Sequence, residues 1–215
     1  MNLLERFDEQ VRRRGVDEDG LFVGEGWSAV LTVPPDVDRA LARLRELAGH
    51  AEWKLYGHDP AWLPERLRAA GMEPDDEETV VVAEIAALPE PPADVELRDD
   101  AEAFVELAAA VFGERHELPA NAAAVVAFVD GRPVSSGRVD LDPDTEFAGL
   151  FGGVTLPEYR GRGLYRATVL KRAQIARERG YRYLYVDALP TSRPILERLG
   201  FVAITTTTPW TFTDA

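Results

Sequence analysis

The chain has 215 residues, 46% of them hydrophobic and 29% charged, enough to bury a core in one large domain or two small ones. Its 38 acidic side chains against 24 basic ones give a net charge of −14, which argues against a general binder of nucleic acid or anionic membranes, since phosphate binding rests on clustered cations. Cysteine is absent and only His50, His58 and His116 carry imidazoles, at no metal-site spacing, so disulfides, thiolate nucleophiles and a metal are not expected.

In chain order, residues 1–14 predict a helix with Leu3, Leu4, Phe7 and Val11 on one face. The stretch 15–26 reads as loop, 27–33 as a short strand closed by Pro34-Pro35. Asp36 or Asp38 caps a helix striped by Leu41, Leu44 and Leu47. A strand over 52–57, a helix over 61–70 closed by Gly71 and a strand over 79–85 follow. Residues 87–93, Ala-Leu-Pro-Glu-Pro-Pro-Ala, form the expected linker, dividing the chain into 1–90 and 93–215.

Beyond it, 95–98 predicts a strand, 101–112 a helix opened by Asp99 or Asp100, and 113–119 a loop. Strands over 125–129 and 133–140 flank Asp130-Gly131-Arg132, a hairpin signal. The strand 147–156 is interrupted by Gly149, Gly152 and Gly153; glycine inside a strand signals a bulge. A helix over 164–179, a strand over 181–188, a helix over 192–199 and a strand over 201–208 complete a mixed α/β layer, neither barrel nor bundle. The longest apolar run, 122–129, is too short to span a bilayer, and the opening MNLLERFDEQVRRR has no signal-peptide core, so a cytoplasmic protein is expected.

The charge is uneven. Residues 160–182 hold eight cations against the single acid Glu178, a local +7 in an acidic chain, suited to a small polyanion. At its start, Val154-Thr-Leu-Pro-Glu-Tyr-Arg-Gly-Arg-Gly-Leu-Tyr-Arg166 places the two arginines and two glycines of 160–163 where a strand gives way to a helix. Such a turn aims backbone N–H groups outward at the positive end of a helix dipole, and glycine lets the backbone approach a phosphate closely.

This stretch resembles the GCN5-related N-acetyltransferase (GNAT) superfamily through its Arg-x-x-Gly-x-Gly/Ala pyrophosphate loop, here Arg160-Gly161-Arg162-Gly163-Leu164-Tyr165, after Pro157-Glu-Tyr159. The likeness continues through 183–187 and Ile195-Leu-Glu-Arg-Leu-Gly-Phe201. It implies a GNAT-like mixed central sheet flanked by helices. It also implies acetyl-CoA, its pyrophosphate on the amides of Gly161, Arg162, Gly163, Leu164, Tyr165 and Arg166 beside Arg160, and its pantetheine paired with Gly153, Val154 and Thr155. The implied reaction is acetyl transfer by direct attack of a primary amine of a small molecule or peptide on the thioester. Two positions depart from the family. The last loop residue, normally Gly or Ala, is Tyr165, and the tyrosine that often protonates the leaving thiolate is replaced by Leu196.

An alkylamine with a pKa of ~10 is mostly ammonium at neutral pH, so a base must take its proton. Glu146, Glu114, His116 and Glu117 are candidate bases, and Tyr165, Tyr183, Tyr185 and Ser192 candidate acids; Glu146, Tyr185 and Ser192 are the catalytic set selected. A non-catalytic acyl-CoA-binding or interaction module is the alternative, and transfer to oxygen or of a longer acyl group is not distinguished. The oligomeric state is left open, a homodimer included. Finally, Leu55-Tyr56, Leu67 and Gly71 repeat the spacing of Leu184-Tyr185, Leu196 and Gly200, so residues 1–90 read as a degenerate GNAT-like half without the phosphate loop.

Overall fold

The computed structural model describes residues 1–24, 27–47, 50–113, 115 and 117–213. Helix α1 (Leu3–Phe7) starts in a capping box in which Asn2 Oδ1 accepts from the Glu5 amide and the Glu5 carboxylate accepts from the Asn2 amide. It runs into a π-helical turn over Asp8–Arg12. Then come β1 (Leu21–Val23), β2 (Trp27–Val30), α2 (Val37–Glu46), β3 (His50–Tyr56), α3 (Leu63–Ala69), β4 (Met72–Pro74) and β5 (Glu78–Glu84). Past a 3₁₀ turn at Ile85–Ala87 lie β6 (Glu96–Arg98), α4 (Ala101–Phe112), β7 (Ala122–Val129), β8 (Arg132–Asp140), β9 (Phe147–Thr155), α5 (Leu164–Glu178), β10 (Tyr183–Ala188), α6 (Arg193–Leu199) and β11 (Val202–Phe212). The side chains of Asp36 and Asp100 cap α2 and α4. The hairpin Asp130-Gly131 has both residues at positive φ, 51° and 76°, as a type I′ turn requires.

The chain forms two compact units, 1–80 with 187–190 and 203–215, and 81–186 with 191–202. The division thus falls at Val80/Val81 and not in the proline-rich 87–93. The last residues join the first unit because β11 pairs with β3 and β4. Two strands were not anticipated. The three-residue β1 and β4 are too short to carry a hydrophobic period, and each exists by pairing, β1 with β2 and β4 with β11.

In the first unit β1 is antiparallel to β2, and β2 crosses through α2 to a parallel partner, β3. Trp53 and Trp210, opposite one another on β3 and β11, centre a core with Leu41, Leu44, Leu63, Leu67 and Met72. The other face of β3 is polar. Arg12, 5% exposed, stacks 3.8 Å over Tyr56, pairs with Asp59 at 2.8 Å and with Asp8 at 3.1 Å, and donates to the Leu31 carbonyl. Along the same face Lys54 pairs with Asp187, both largely buried. Burial opposes the Lys54 charge, but Asp187, Tyr56 and Glu52 outweigh it and hold the ammonium protonated.

Half-buried Glu78 belongs to this cluster. Burial raises its carboxyl to about 7; Lys54 opposes the rise, and Asp187, Glu52 and Asp75 reinforce it. Between the ordinary 4.5 and about 7 the folded chain binds more protons here than the unfolded one, so this group's contribution falls as pH rises through that window. Glu78→Gln is expected to leave stability at pH 4.5 nearly unchanged. At pH 8 it should raise stability by roughly 1 kcal/mol, a figure discounted for solvent screening at this partly open position. Denaturant melts at the two pH values check this, and equal effects at both would refute it.

The second unit is an antiparallel run β6-β7-β8-β9 with β10 added in parallel to β9 through α5. Helix α4 packs Phe104 and Val105 on Ala124, Val126 and Phe128, one face of β7. Helix α5 takes the opposite face, where Leu164 meets Ala127 and Val134. Two stretches of the chain, β1–β4 and β8–β11, share an order. In each, a strand is antiparallel to its predecessor and parallel to its successor across a helix, and a second helix then ends at a left-handed glycine, Gly71 (φ 84°) or Gly200 (φ 104°), before another strand.

Candidate active site

Strand β9 delivers the chain to Leu156, whose amide bonds the Val134 carbonyl at 2.9 Å, and a 3₁₀ turn at Pro157–Tyr159 follows. Gly161 and Gly163 stand at φ 74° and 78°, the left-handed region open to glycine without strain. A Cβ built on either would meet nothing within 4 Å, so the loop faces open space on this side. Gly163 precedes α5 without a side-chain cap, and the first intrahelical bond is Ala167 N–H to Gly163 O at 3.0 Å. The amides of Leu164, Tyr165 and Arg166 lie before that bond, at the positive end of a fifteen-residue helix with no acid in its first turn. Arg162 lies 5.2 Å and Arg132 5.8 Å from the Tyr159 ring centre, Arg166 is exposed, and Arg160 Nε donates to the Thr155 carbonyl. Open glycines, free amides and cations fit a diphosphate.

The strand that feeds this loop is bulged. Ser136 of β8 faces Val154, but Arg138 faces Phe151, so β9 carries one extra residue at Gly152-Gly153, with Gly152 at φ 60°. The pairing of β9 with β10 covers only Phe147–Gly149 against Tyr183–Tyr185, although β9 runs on to Thr155 and β10 to Ala188. The expected bulge is therefore present, β9 and β10 splay beyond Gly149, and the edge from Leu150 to Thr155 is not paired with β10. Ser135 Oγ ties down this end by donating to the Val154 carbonyl at 2.8 Å and lying 2.7 Å from Thr155 Oγ1.

The selected catalytic residues are not all brought together. Ser192, at the start of α6, hydrogen-bonds Tyr165 of the loop. The Tyr165 ring in turn lies 3.0 Å from where a Cβ on Gly153 would stand. Tyr185 lies on the sheet face opposite α5. Its ring packs edge-on to Phe151 at 6.1 Å, and its hydroxyl is 2.9 Å from a Cβ built on Gly149. Tyr183 stacks on Phe147 at 4.9 Å and is buried, a packing role. Glu146 is at the wrong end of β9: nine residues of strand at ~3.3 Å each put it roughly 30 Å from Thr155. There it neighbours Arg182 at 3.7 Å, and its carbonyl accepts from the Arg182 and Tyr183 amides. Glu117 is exposed; Glu114 and His116 fall outside the described residues.

Two groups escaped the sequence reading. Asp140, across β8 and β9 from Gly149, binds Arg138 Nε at 2.8 Å, and Arg138 lies 5.2 Å from the Phe151 ring centre. Burial raises the Asp140 carboxyl, with Arg138 opposing. Asp140, Gly149 and Tyr185 thus sit side by side on three strands, a carboxylate and a phenol over a glycine floor. The strand over 133–140 was legible, but which of its faces meets this floor depends on register. The second group is Arg172, 1% exposed on α5, which the sequence offered only as one of eight cations over 160–182. Among the described residues no group of His, Asp or Glu is arranged to hold a metal, and no helix is long and apolar enough to cross a membrane.

Comparison with known proteins agrees with this geometry. No curated protein matches the chain significantly. Among solved structures it is similar to a GCN5-related N-acetyltransferase from Kribbella flavida, with TM-score 0.66 and 21% identity over 96% of this chain and 91% of that one. A putative GNAT-family acetyltransferase from Novosphingobium aromaticivorans gives TM-score 0.62 and 21% identity over 87% and 84%. A tandem GNAT protein from the clavulanic acid biosynthesis pathway gives 0.54 and 17% over 88% and 76%. These likenesses are of fold. The family model for the acetyltransferase (GNAT) family matches residues 82–201, more than half the chain and all of the loop, bulge and splay described above. The chain belongs to the acetyltransferase (GNAT) family.

Proposed function

We propose that this acyltransferase uses acetyl-CoA as co-substrate and transfers its acetyl group to a primary amine of a small molecule or peptide. The observation that carries the reading is the open, cationic, amide-lined turn Arg160–Arg166 at the end of a bulged, splayed strand. Its amides and arginines suit the diphosphate, and the unpaired edge at Gly153, Val154 and Thr155 suits the amide-bearing arm. An amide of that edge would polarise the thioester oxygen as charge develops there. Acetyl-CoA supplies the activated acyl group.

The acceptor is assigned to the face opposite α5. Phe151 and Tyr185 offer aromatic surface to an alkylammonium, and Asp140 is the nearby carboxylate suited to take its proton before attack. This replaces Glu146 in the base role. Residues 1–90 are read as a degenerate GNAT-like half: their strand and helix order repeats, and Pro34-Pro35-Asp36 stands where the second half has its loop.

One observation favours a non-catalytic acyl-CoA-binding module instead: Leu196, where many relatives have a tyrosine, is 0% exposed and has no proton to give. Calorimetric titration with acetyl-CoA, followed by CoA release with butylamine, putrescine and tyramine, separates the readings. Binding with turnover of at least one amine is expected. Binding without turnover would favour the module, and no binding would sink both.

A further inference from the structure

Arg172 poses a physical problem. Its guanidinium is 1% exposed, yet no carboxylate among the described residues pairs with it. Nε donates to the Thr168 carbonyl at 3.1 Å and Nη1 to the Arg138 carbonyl at 3.1 Å, while Nη2 has no partner. Gly137 clears the room it fills, since a Cβ there would stand 2.5 Å from Nη1. An uncompensated buried cation is costly to hold and is expected to have a use. Burial lowers its pKa to about 10, so it remains charged at neutral pH, and beside the two backbone carbonyls the side chain that favours that charge is Tyr165.

Tyr165 is equally specific. It is the last residue of the loop, where a small residue is the rule, and its ring folds back over Gly153 on the splayed strand. Burial raises its phenol; the Arg172 charge and the bond to Ser192 both pull the other way, and the phenol stays protonated at neutral pH. It is therefore a donor and not a base. The groups that favour its anion are already in place.

We propose that Tyr165, Ser192 and Arg172 form the proton-delivery unit of this transferase, with Tyr165 protonating the leaving thiolate from α5 while Ser192 and Arg172 hold the resulting phenolate. The assignment rests on the acetyl-CoA reading. The acceptor nitrogen bonds to the thioester carbon, the carbon–sulfur bond breaks with its electron pair going to sulfur, and the phenol proton passes from Tyr165 Oη to that sulfur. The phenolate regains a proton from solvent by way of Ser192, and the proton of the acylated nitrogen leaves to the base. Tyr165 is the catalytic residue; Ser192 and Arg172 act through it.

The test uses the full chain, acetyl-CoA and whichever of butylamine, putrescine or tyramine the wild type turns over best. Tyr165→Phe is expected to bind acetyl-CoA with unchanged affinity and to lose kcat by about 100-fold or more. Ser192→Ala removes a bond that favours the phenolate, so the alkaline limb of its kcat profile should move to higher pH with Kd unchanged. Arg172→Gln should move the limb the same way, and the first two variants decide the matter if it does not fold. Wild-type kcat in Tyr165→Phe, or a loss confined to Kd, would overturn the assignment while leaving the acetyl-CoA reading intact. A wild type that binds no acetyl-CoA would overturn both.

Discussion

Gly163→Asp is expected to lower acetyl-CoA affinity by at least about 100-fold while leaving a folded chain. The position has room for a side chain, because nothing lies within 4 Å of a Cβ built there. It does not have room for another charge. A carboxylate at the head of α5 opposes the dipole that the loop offers to a diphosphate, and two like charges ~4 Å apart near a protein surface repel by up to about 4 kcal/mol. The residue also sits at φ 78°, so any side chain adds backbone strain of about 1–2 kcal/mol. Gly163→Asn separates the two effects, since asparagine tolerates this conformation and adds no charge. The Asn variant should lose little affinity, the Asp variant nearly all, as read by calorimetry, with circular dichroism reporting the fold. Similar affinities for Asp and wild type would show that the anion binds elsewhere.

The second large effect concerns stability. Lys54→Met should destabilise the first unit by about 3–5 kcal/mol, because it strands Asp187 as a buried charge, and one Asp187 oxygen already lacks a partner. Lys54→Met/Asp187→Leu removes both charges and is expected to recover most of that loss. All four tryptophans, Trp27, Trp53, Trp62 and Trp210, lie in this unit, so their fluorescence during denaturant unfolding reads it selectively. A single substitution within 1 kcal/mol of wild type would mean that Asp187 is solvated or neutral in the folded chain.

Much of this molecule could be read along the chain. The helices capped by Asp36 and Asp100, the hairpin at Asp130-Gly131, and the strand–turn–helix at Leu156–Leu164 are local events, written by residues within a few positions of one another. The open glycine turn at Arg160–Arg166 was legible for the same reason, as glycines and helix-end amides need no distant partner. What escaped was set at long range. Lys54 meets Asp187 across 133 positions, and Asp140 gains its meaning from Gly149 and Tyr185 on neighbouring strands. Arg172 was only one cation among eight, because neither a helical period nor a charge count reveals that Gly137 makes room beneath it. Glu146 was attractive for standing next to the central strand, but nearness in sequence put it at the wrong end.

The pairing of Trp53 with Trp210 has a consequence for how the protein is made. Residues 1–80 are made well before β11, the strand that completes their core, because the whole of 81–186 lies between them. Until then the apolar side of β3, with Trp53, Leu63 and Leu67 behind it, has no partner from β11. The second unit, continuous from 81 to 186, can close its antiparallel strands while the first still waits. The first unit thus completes its core only after residues 81–186 have been made, and until then its apolar strand face is open to chaperones and to aggregation.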